Sequence, residues 1–252
     1  MKEKNKKVGF LVGVIVLTSV LFFQLAHQAD ALAVNLISNA SLENASTNPA
    51  IPQFWQKGGT GANTRTLTYP VGGYDGVKAA KAEITTYTDG DAKWYFQQVP
   101  VNGGETYEFK DMYTSTTASY VTLRYTLSDG SYKYPDLERN LGAQASWTPF
   151  QKTFTIPTNY NLPVTHLTVF HLIKSVGSIT VDAYSLTKLD TTSPVVSVSV
   201  PVAQPVSGVV TLSANATDES GVASVQFFAD SNALGTPLFE APYTFSLDTT
   251  TL

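Results

Sequence analysis

The stretch Ser119-Tyr120-Val121-Thr122-Leu123-Arg124-Tyr125-Thr126-Leu127 sets Val121, Leu123 and Tyr125 against Thr122, Arg124 and Thr126. Successive side chains of an extended chain point to opposite faces, so this is a strand with one apolar and one polar face. The same period of two recurs at Thr106-Tyr107-Glu108-Phe109, over residues 165–172 and over residues 178–186. Turn-forming residues separate these runs: Asn102-Gly103-Gly104, Ser128-Asp129-Gly130 and Val176-Gly177. No stretch sustains a helical period. Eight or nine short strands over about 155 residues predict a two-sheet jelly-roll β-sandwich. A domain of that size buries enough apolar surface to fold alone.

Outside this region the character of the chain changes twice. Lys2, Lys4, Lys6 and Lys7 precede an uncharged apolar run from Val8 to Phe23, and Ala31-Leu32-Ala33 follows as a small-x-small site. That is the grammar of a signal peptide over residues 1–33. The apolar run is shorter than the ~20 residues that span a bilayer, so cleavage is expected, with a retained anchor as the alternative. Either way residues 34 onward are exported. At the other end, residues 190–194 (Asp-Thr-Thr-Ser-Pro) read as a polar linker between a domain at 34–189 and a segment at 195–252. That segment has strand-like runs at Val195 to Val200, Val209 to Ala216, Val222 to Phe228 and Tyr243 to Leu247. Their spacing suits an immunoglobulin-like sandwich, which takes about 100 residues, so a truncated one is expected.

Composition narrows the function. The chain has 16 basic and 20 acidic residues and a net charge of −4. The leader holds four of the basic and two of the acidic residues, so the remainder is more acidic still. With no basic cluster, nucleic acid and anionic membranes are excluded as partners. There are no cysteines, which excludes disulfides and thiolate metal sites. Nothing after the leader is long and apolar enough to span a membrane. A secreted or cell-surface monomer is expected.

Landmarks along residues 34–189 carry a family resemblance. They are Asn35-Leu36-Ile37-Ser38-Asn39-Ala40-Ser41-Leu42-Glu43, then Pro52-Gln53-Phe54-Trp55, then Trp94-Tyr95-Phe96-Gln97-Gln98-Val99 followed by Gly104-Glu105-Thr106-Tyr107. Trp147-Thr148-Pro149-Phe150 and the run from Gly177 to Leu186 complete the set. Their order and spacing resemble carbohydrate-binding modules of families four and nine, in a variant found ahead of secreted polysaccharide deacetylases and glycosidases. The second segment resembles a bacterial immunoglobulin-like repeat, through Ala216-Thr217-Asp218-Glu219-Ser220-Gly221-Val222 and the later Ala241-Pro242-Tyr243. The resemblance implies a polysaccharide or oligosaccharide ligand. It also implies a structural calcium, with Glu43 and Asp182 at ligand positions and Asp75 and the Lys78 carbonyl as further oxygens.

Sugar binding needs flat apolar faces with polar neighbours. The candidates are Trp94, Tyr113, Arg124, Tyr132 and Tyr134. Trp94 follows Asp89-Gly90-Asp91-Ala92-Lys93, where a loop enters a strand. Tyr132 and Tyr134 follow a turn and share a face. Arg124 suits hydroxyls or a uronate carboxylate. Trp55 and Trp147 read as core or loop anchors, and Tyr107, Phe109, Val121 and Leu123 as core. Alternation then sets Lys110, Met112, Thr122 and Arg124 on the other face. His166 and His171, five apart, fall on opposite faces of one strand; a buried, hydrogen-bonded histidine is the expectation. No His-Glu-x-x-His, Gly-x-Ser-x-Gly or phosphate-loop motif occurs. Non-catalytic polysaccharide binding, targeting a catalytic domain beyond residue 252, is the leading expectation. The alternatives are a cell-surface adhesion stalk, or the front of a secreted glycoside hydrolase or deacetylase.

Overall fold

The structure is a computed structural model that describes residues 34–199, 208–218, 221–229 and 232–248. The expected leader lies outside the described residues. The chain divides into two compact units between Leu189 and Asp190, and all regular structure described is β.

The first unit contains β1 (Trp55–Thr60), β2 (Asn63–Val71), β3 (Ala79–Tyr87), β4 (Asp91–Phe96), β5 (Val99–Pro100) and β6 (Thr106–Ser115), followed by β7 (Ser119–Leu127), β8 (Tyr132–Lys133), β9 (Asp136–Leu141), β10 (Gln144–Thr155), β11 (Val164–Ile173) and β12 (Gly177–Leu189). One sheet runs β1-β4-β11-β7-β8, with β5 beside β11 and β9 beside β7; the other runs β10-β6-β12-β3-β2. This is the expected jelly-roll sandwich.

Alternation builds its core. Tyr107 and Phe109 of β6 and Val121 and Leu123 of β7 are buried between the sheets. Tyr184 sits at the centre. Its ring meets Trp55 edge-on at 4.9 Å, Phe109 at 5.5 Å and Phe96 at 6.4 Å. Burying each such ring contributes roughly 1.5–3 kcal/mol. Trp55 also donates to the Asn39 carbonyl at 3.1 Å, while Trp147 is partly buried against Tyr74, 5.9 Å away.

Two features depart from simple alternation. Lys110 and Met112 do face away from the core, but on β6, whereas Thr122 and Arg124 face away on β7. Those strands belong to opposite sheets, so the four residues do not share a face as expected. On β12, register against β6 shifts between Asp182 and Ser185, and Ala183 has φ 50°. This bulge switches the inward set from Ile179 and Val181 to Tyr184 and Leu186.

The chain ahead of β1 is fastened to β12. Leu36 donates to the Leu186 carbonyl at 2.9 Å, Tyr184 N–H to Ala40 at 3.0 Å, and the Asn35 amide to Tyr184 at 2.9 Å. Beside this seam the four expected calcium ligands meet, but as a hydrogen-bonded clasp on the loop at 74–78. Asp182 Oδ2 accepts the N–H groups of Tyr74 (2.7 Å) and Asp75 (2.9 Å), and its Oδ1 accepts Ala183 N–H at 2.6 Å. Glu43 Oε1 accepts Val77 N–H (2.8 Å) and Lys78 N–H (2.7 Å). Gly76, at φ 94°, lets the loop close: a Cβ there would lie 2.5 Å from Glu43 Oε1. The local cation is the Lys78 ammonium, 2.6 Å from the Glu43 carbonyl oxygen. Among the described residues no three acidic or histidine side chains converge on a metal position. Glu43 Oε1 and both Asp182 oxygens are thus spent on N–H donors, which compete with any use of them as ligands to a hard dication.

The second unit has a three-stranded sheet, β13 (Val195–Ser199), β14 (Val209–Thr217) and β17 (Tyr243–Asp248), and a hairpin of β15 (Val225–Ala229) and β16 (Asn232–Leu238). Leu212, Val225, Phe227, Tyr243 and Leu247 form its core. β16 was not expected, because Asn232–Leu238 carries Gly and Pro and little alternation.

Two outcomes follow from these contacts. Lys78→Met lowers the melting temperature by roughly 2–4 °C in differential scanning calorimetry, through one lost charged hydrogen bond, while millimolar calcium or a chelator leaves it unchanged. A calcium-dependent rise would show that the clasp does take a metal. Glu105 gives a pH-dependent outcome. Burial pushes its carboxyl up, but hydrogen bonds from Tyr107, Lys188 and Asn102 outweigh this and lower it from 4.5 to about 2. A depressed carboxylate adds stability above its unfolded value and loses it as pH falls through the folded one. Glu105→Gln is therefore destabilising at pH 7 in urea titrations, by about 1 kcal/mol once solvent screening at this surface position is allowed for, and the difference closes as pH falls from 4.5 to about 2.

Candidate functional site: a groove across the first sheet

Alternation on β4 decides where the sugar-binding candidates go. Ala92, Trp94 and Phe96 point into the sandwich, and Asp91, Lys93 and Tyr95 point out. Trp94 is 1% exposed and donates to the Lys81 carbonyl at 3.0 Å. It is a core residue and offers a ligand no face. Tyr113 is also buried, 2% exposed, with its ring 4.4 Å from His171. Both expectations fail for the same reason: each residue occupies an inward position of its strand.

The other three candidates converge. Arg124 leaves β7 on the outer face, and its guanidinium lies 5.1 Å from the Tyr132 ring. Tyr132 and Tyr134 are 49% and 57% exposed, with ring centroids 6.1 Å apart. Tyr134 in turn lies 6.3 Å from Phe170 of β11. Arg124, Tyr134 and Phe170, with residues of β1 and β4, line a groove of about 620 Å³, within the range of ligand sites, while Tyr132 stands behind Arg124 and outside that lining.

Several groove residues were not singled out from sequence. Tyr95 stands across the groove, 5.2 Å from both Phe170 and Arg124, and its hydroxyl donates to Gln56 at 2.8 Å. Gly58 makes room for it, since a Cβ there would lie 2.8 Å from the Tyr95 ring. Phe170 and Leu172 form the floor. They face away from the core yet are almost wholly buried. The signal for them was available: β11 reads Val-Thr-His-Leu-Thr-Val-Phe-His-Leu-Ile, apolar on both faces, which marks a strand covered on both sides.

Polar groups ring this floor. Lys93, Arg124 and Lys174 line the groove with Asp91, Asp136, Thr60 and Thr122, while the Lys57 side chain leaves β1 on the side of its cross-strand partner Trp94, 5.4 Å over that ring. The Lys93 ammonium lies 2.6 Å from Asp91 Oδ1 and 4.7 Å from the centre of the Phe170 ring. Burial lowers its pKa, against the opposing pull of Asp91. Asp136 accepts from Thr122 at 2.8 Å and pairs with Arg139 at 2.7 Å.

His171 has a different setting. Its Nδ1 lies 2.7 Å from Asp111 Oδ2 and its Nε2 lies 3.0 Å from Ser119 Oγ. The composition is that of a nucleophilic triad. However, Ser119, His171 and Asp111 are 0%, 0% and 2% exposed, inside the core beneath Tyr113 and Phe150. No substrate reaches them, and the network pairs these buried groups with one another, leaving Asp111 Oδ1 as its one buried oxygen without a partner. His166 lies on the opposite face of β11, as its odd spacing from His171 requires.

Comparison with known proteins agrees with this division. Residues 194–252 match the family model of a bacterial Ig domain. No curated protein matches the chain. Among solved structures, the CBM22-1 xylan-binding domain of Paenibacillus barcinonensis Xyn10C is 13% identical over 64% of this chain and 97% of its own, with a TM-score of 0.45. A structure of a family 4 carbohydrate-binding module is 15% identical over 61% of this chain and 99% of its own, with a TM-score of 0.42. The enzymatically active domain of bacteriophage CBA120 tailspike protein 4 is 14% identical over 62% of this chain, with a TM-score of 0.46; the match spans only 22% of the tailspike chain.

Proposed function

We propose that the first unit is a non-catalytic, extracellular carbohydrate-binding module, and that the groove across β1, β4, β11 and β7 grips a polysaccharide chain. The observation that carries this reading is the pairing of two accessible rings, Tyr95 and Tyr134, over an apolar floor at Phe170, inside a rim of hydrogen-bonding groups. Pyranose rings have apolar C–H faces and polar edges. A site for them combines aromatic faces with lysine, arginine, aspartate and threonine groups around their margin. The groove has both. Its two carboxylates are already engaged, Asp91 with Lys93 and Asp136 with Thr122 and Arg139, which suits holding a sugar rather than cleaving one. Binding would bring any domain joined to this unit to an insoluble or polymeric substrate, with the Ig-like unit as a spacer.

The test is retention of the chain on a panel of soluble and insoluble polysaccharides by affinity electrophoresis and pull-down. Tyr95→Ala and Tyr134→Ala each weaken retention roughly 5–30-fold, equivalent to losing about 1–2 kcal/mol of stacking, with the chain still folded; Tyr134→Ala leaves the melting temperature unchanged, and Tyr95→Ala lowers it through the lost contacts to Phe170 and Gln56. Trp94→Ala acts differently. It opens a core cavity that costs about 3–5 kcal/mol of folding stability. No retention of the folded chain on any polymer would overturn the proposal.

A further inference from the structure

The groove is cationic in an otherwise acidic chain. Three cations, Lys93, Arg124 and Lys174, and two carboxylates line it on the outer face of the sheet, whereas the whole chain carries −4. Both carboxylates are engaged, as described, so their charge does not offset the remaining cations. Among the described residues Lys57, Arg124 and Lys174 have no ion-pair partner, and of these Lys57 stands over the Trp94 ring on the inner side of β1, away from the groove.

Arg124 is the most informative of the three. Its guanidinium is framed by rings at 5.2 Å (Tyr95), 5.1 Å (Tyr132) and 5.5 Å (Phe170), and its buried Nε has no hydrogen-bond partner. Rings hold a guanidinium in place through its flat face and leave its in-plane N–H donors free. The unpartnered Nε is itself closed to solvent, so the donors open to an acceptor from outside are the terminal N–H groups of the guanidinium. Two parallel donors in a fixed fork match the two oxygens of a carboxylate better than a single hydroxyl. The stacking rings beside it, Tyr95 and Tyr134, require that carboxylate to be borne by a sugar.

From this we infer that the groove selects acidic polysaccharides, with Arg124 receiving the carboxylate of a uronate sugar and Lys174 supporting the charge of a neighbouring residue. The inference rests on the groove being the glycan site. Lys93, already neutralised by Asp91, is assigned no such part.

The experiment compares each of three acidic polymers, polygalacturonate, alginate and glucuronoxylan, with the same polymer after its carboxylates have been reduced to alcohols. Binding of the chain is measured by isothermal calorimetry and affinity electrophoresis. At least one acidic polymer binds tenfold or more tightly than its reduced form. Arg124→Gln removes that preference at an unchanged melting temperature, and Lys110→Ala, on the opposite sheet, keeps it. Equal binding of acidic and reduced forms would overturn the inference and leave glycan binding standing. Binding of neither form of any of the three would overturn the uronate inference, while retention on neutral polymers of the wider panel separately decides glycan binding. Equal binding of polyglutamate would show that the groove attracts charge without reading sugar, and would overturn the inference as well.

Discussion

A strand gives each side chain to one of two faces, and the first unit depends on how β4, β7 and β11 make that division. Their inward residues, among them Trp94, Val121, Leu123, Val169 and His171, close the sandwich against Tyr184 and Phe109. The intervening residues, Lys93, Tyr95, Thr122, Arg124, Phe170 and Leu172, form the groove. Core and site are therefore two sides of the same three strands. The rigidity of the one is conferred directly on the other, and the groove needs no loop to hold its floor.

Much of this was legible in the chain. The alternation of Ser119–Leu127 gave the right faces for Val121, Leu123, Thr122 and Arg124, and the turn at Ser128-Asp129-Gly130 put Tyr132 and Tyr134 beside one another. What failed was anything that depended on a neighbour in space. Trp94 and Tyr95 are adjacent in sequence, and local pattern does not say which of two aromatic residues faces the core; pairing of β4 with β1 and β11 decides it. Lys110 and Thr122 belong to polar faces of equal appearance, and only strand order sends them to opposite sides of the molecule. The bulge at Asp182–Ser185 exchanges faces within one strand, driven by a backbone conformation at Ala183 that no alanine advertises.

The buried polar groups show how context overrides residue type. Ser119, His171 and Asp111 have the composition of a catalytic device and the burial of a core. Glu43 and Asp182 have the chemistry of metal ligands, yet they receive the N–H groups of one loop. In both places the deciding fact is what points at the oxygens. A carboxylate supplied with N–H donors acts as a hydrogen-bond anchor, and here that anchor fastens the loop at 74–78 to the strand that ends the unit.

The two-sided burial of β11 has an evolutionary consequence. Phe170 and Leu172 are enclosed from both directions, so changing them disturbs fold and groove together. Tyr134 and Lys174 stand at the margin, on segments whose interior partners would not feel their replacement. Descendants of this module would therefore diversify from the rim inward. Their ligand preferences would drift by exchange of charges and rings around a hydrophobic strip that stays constant.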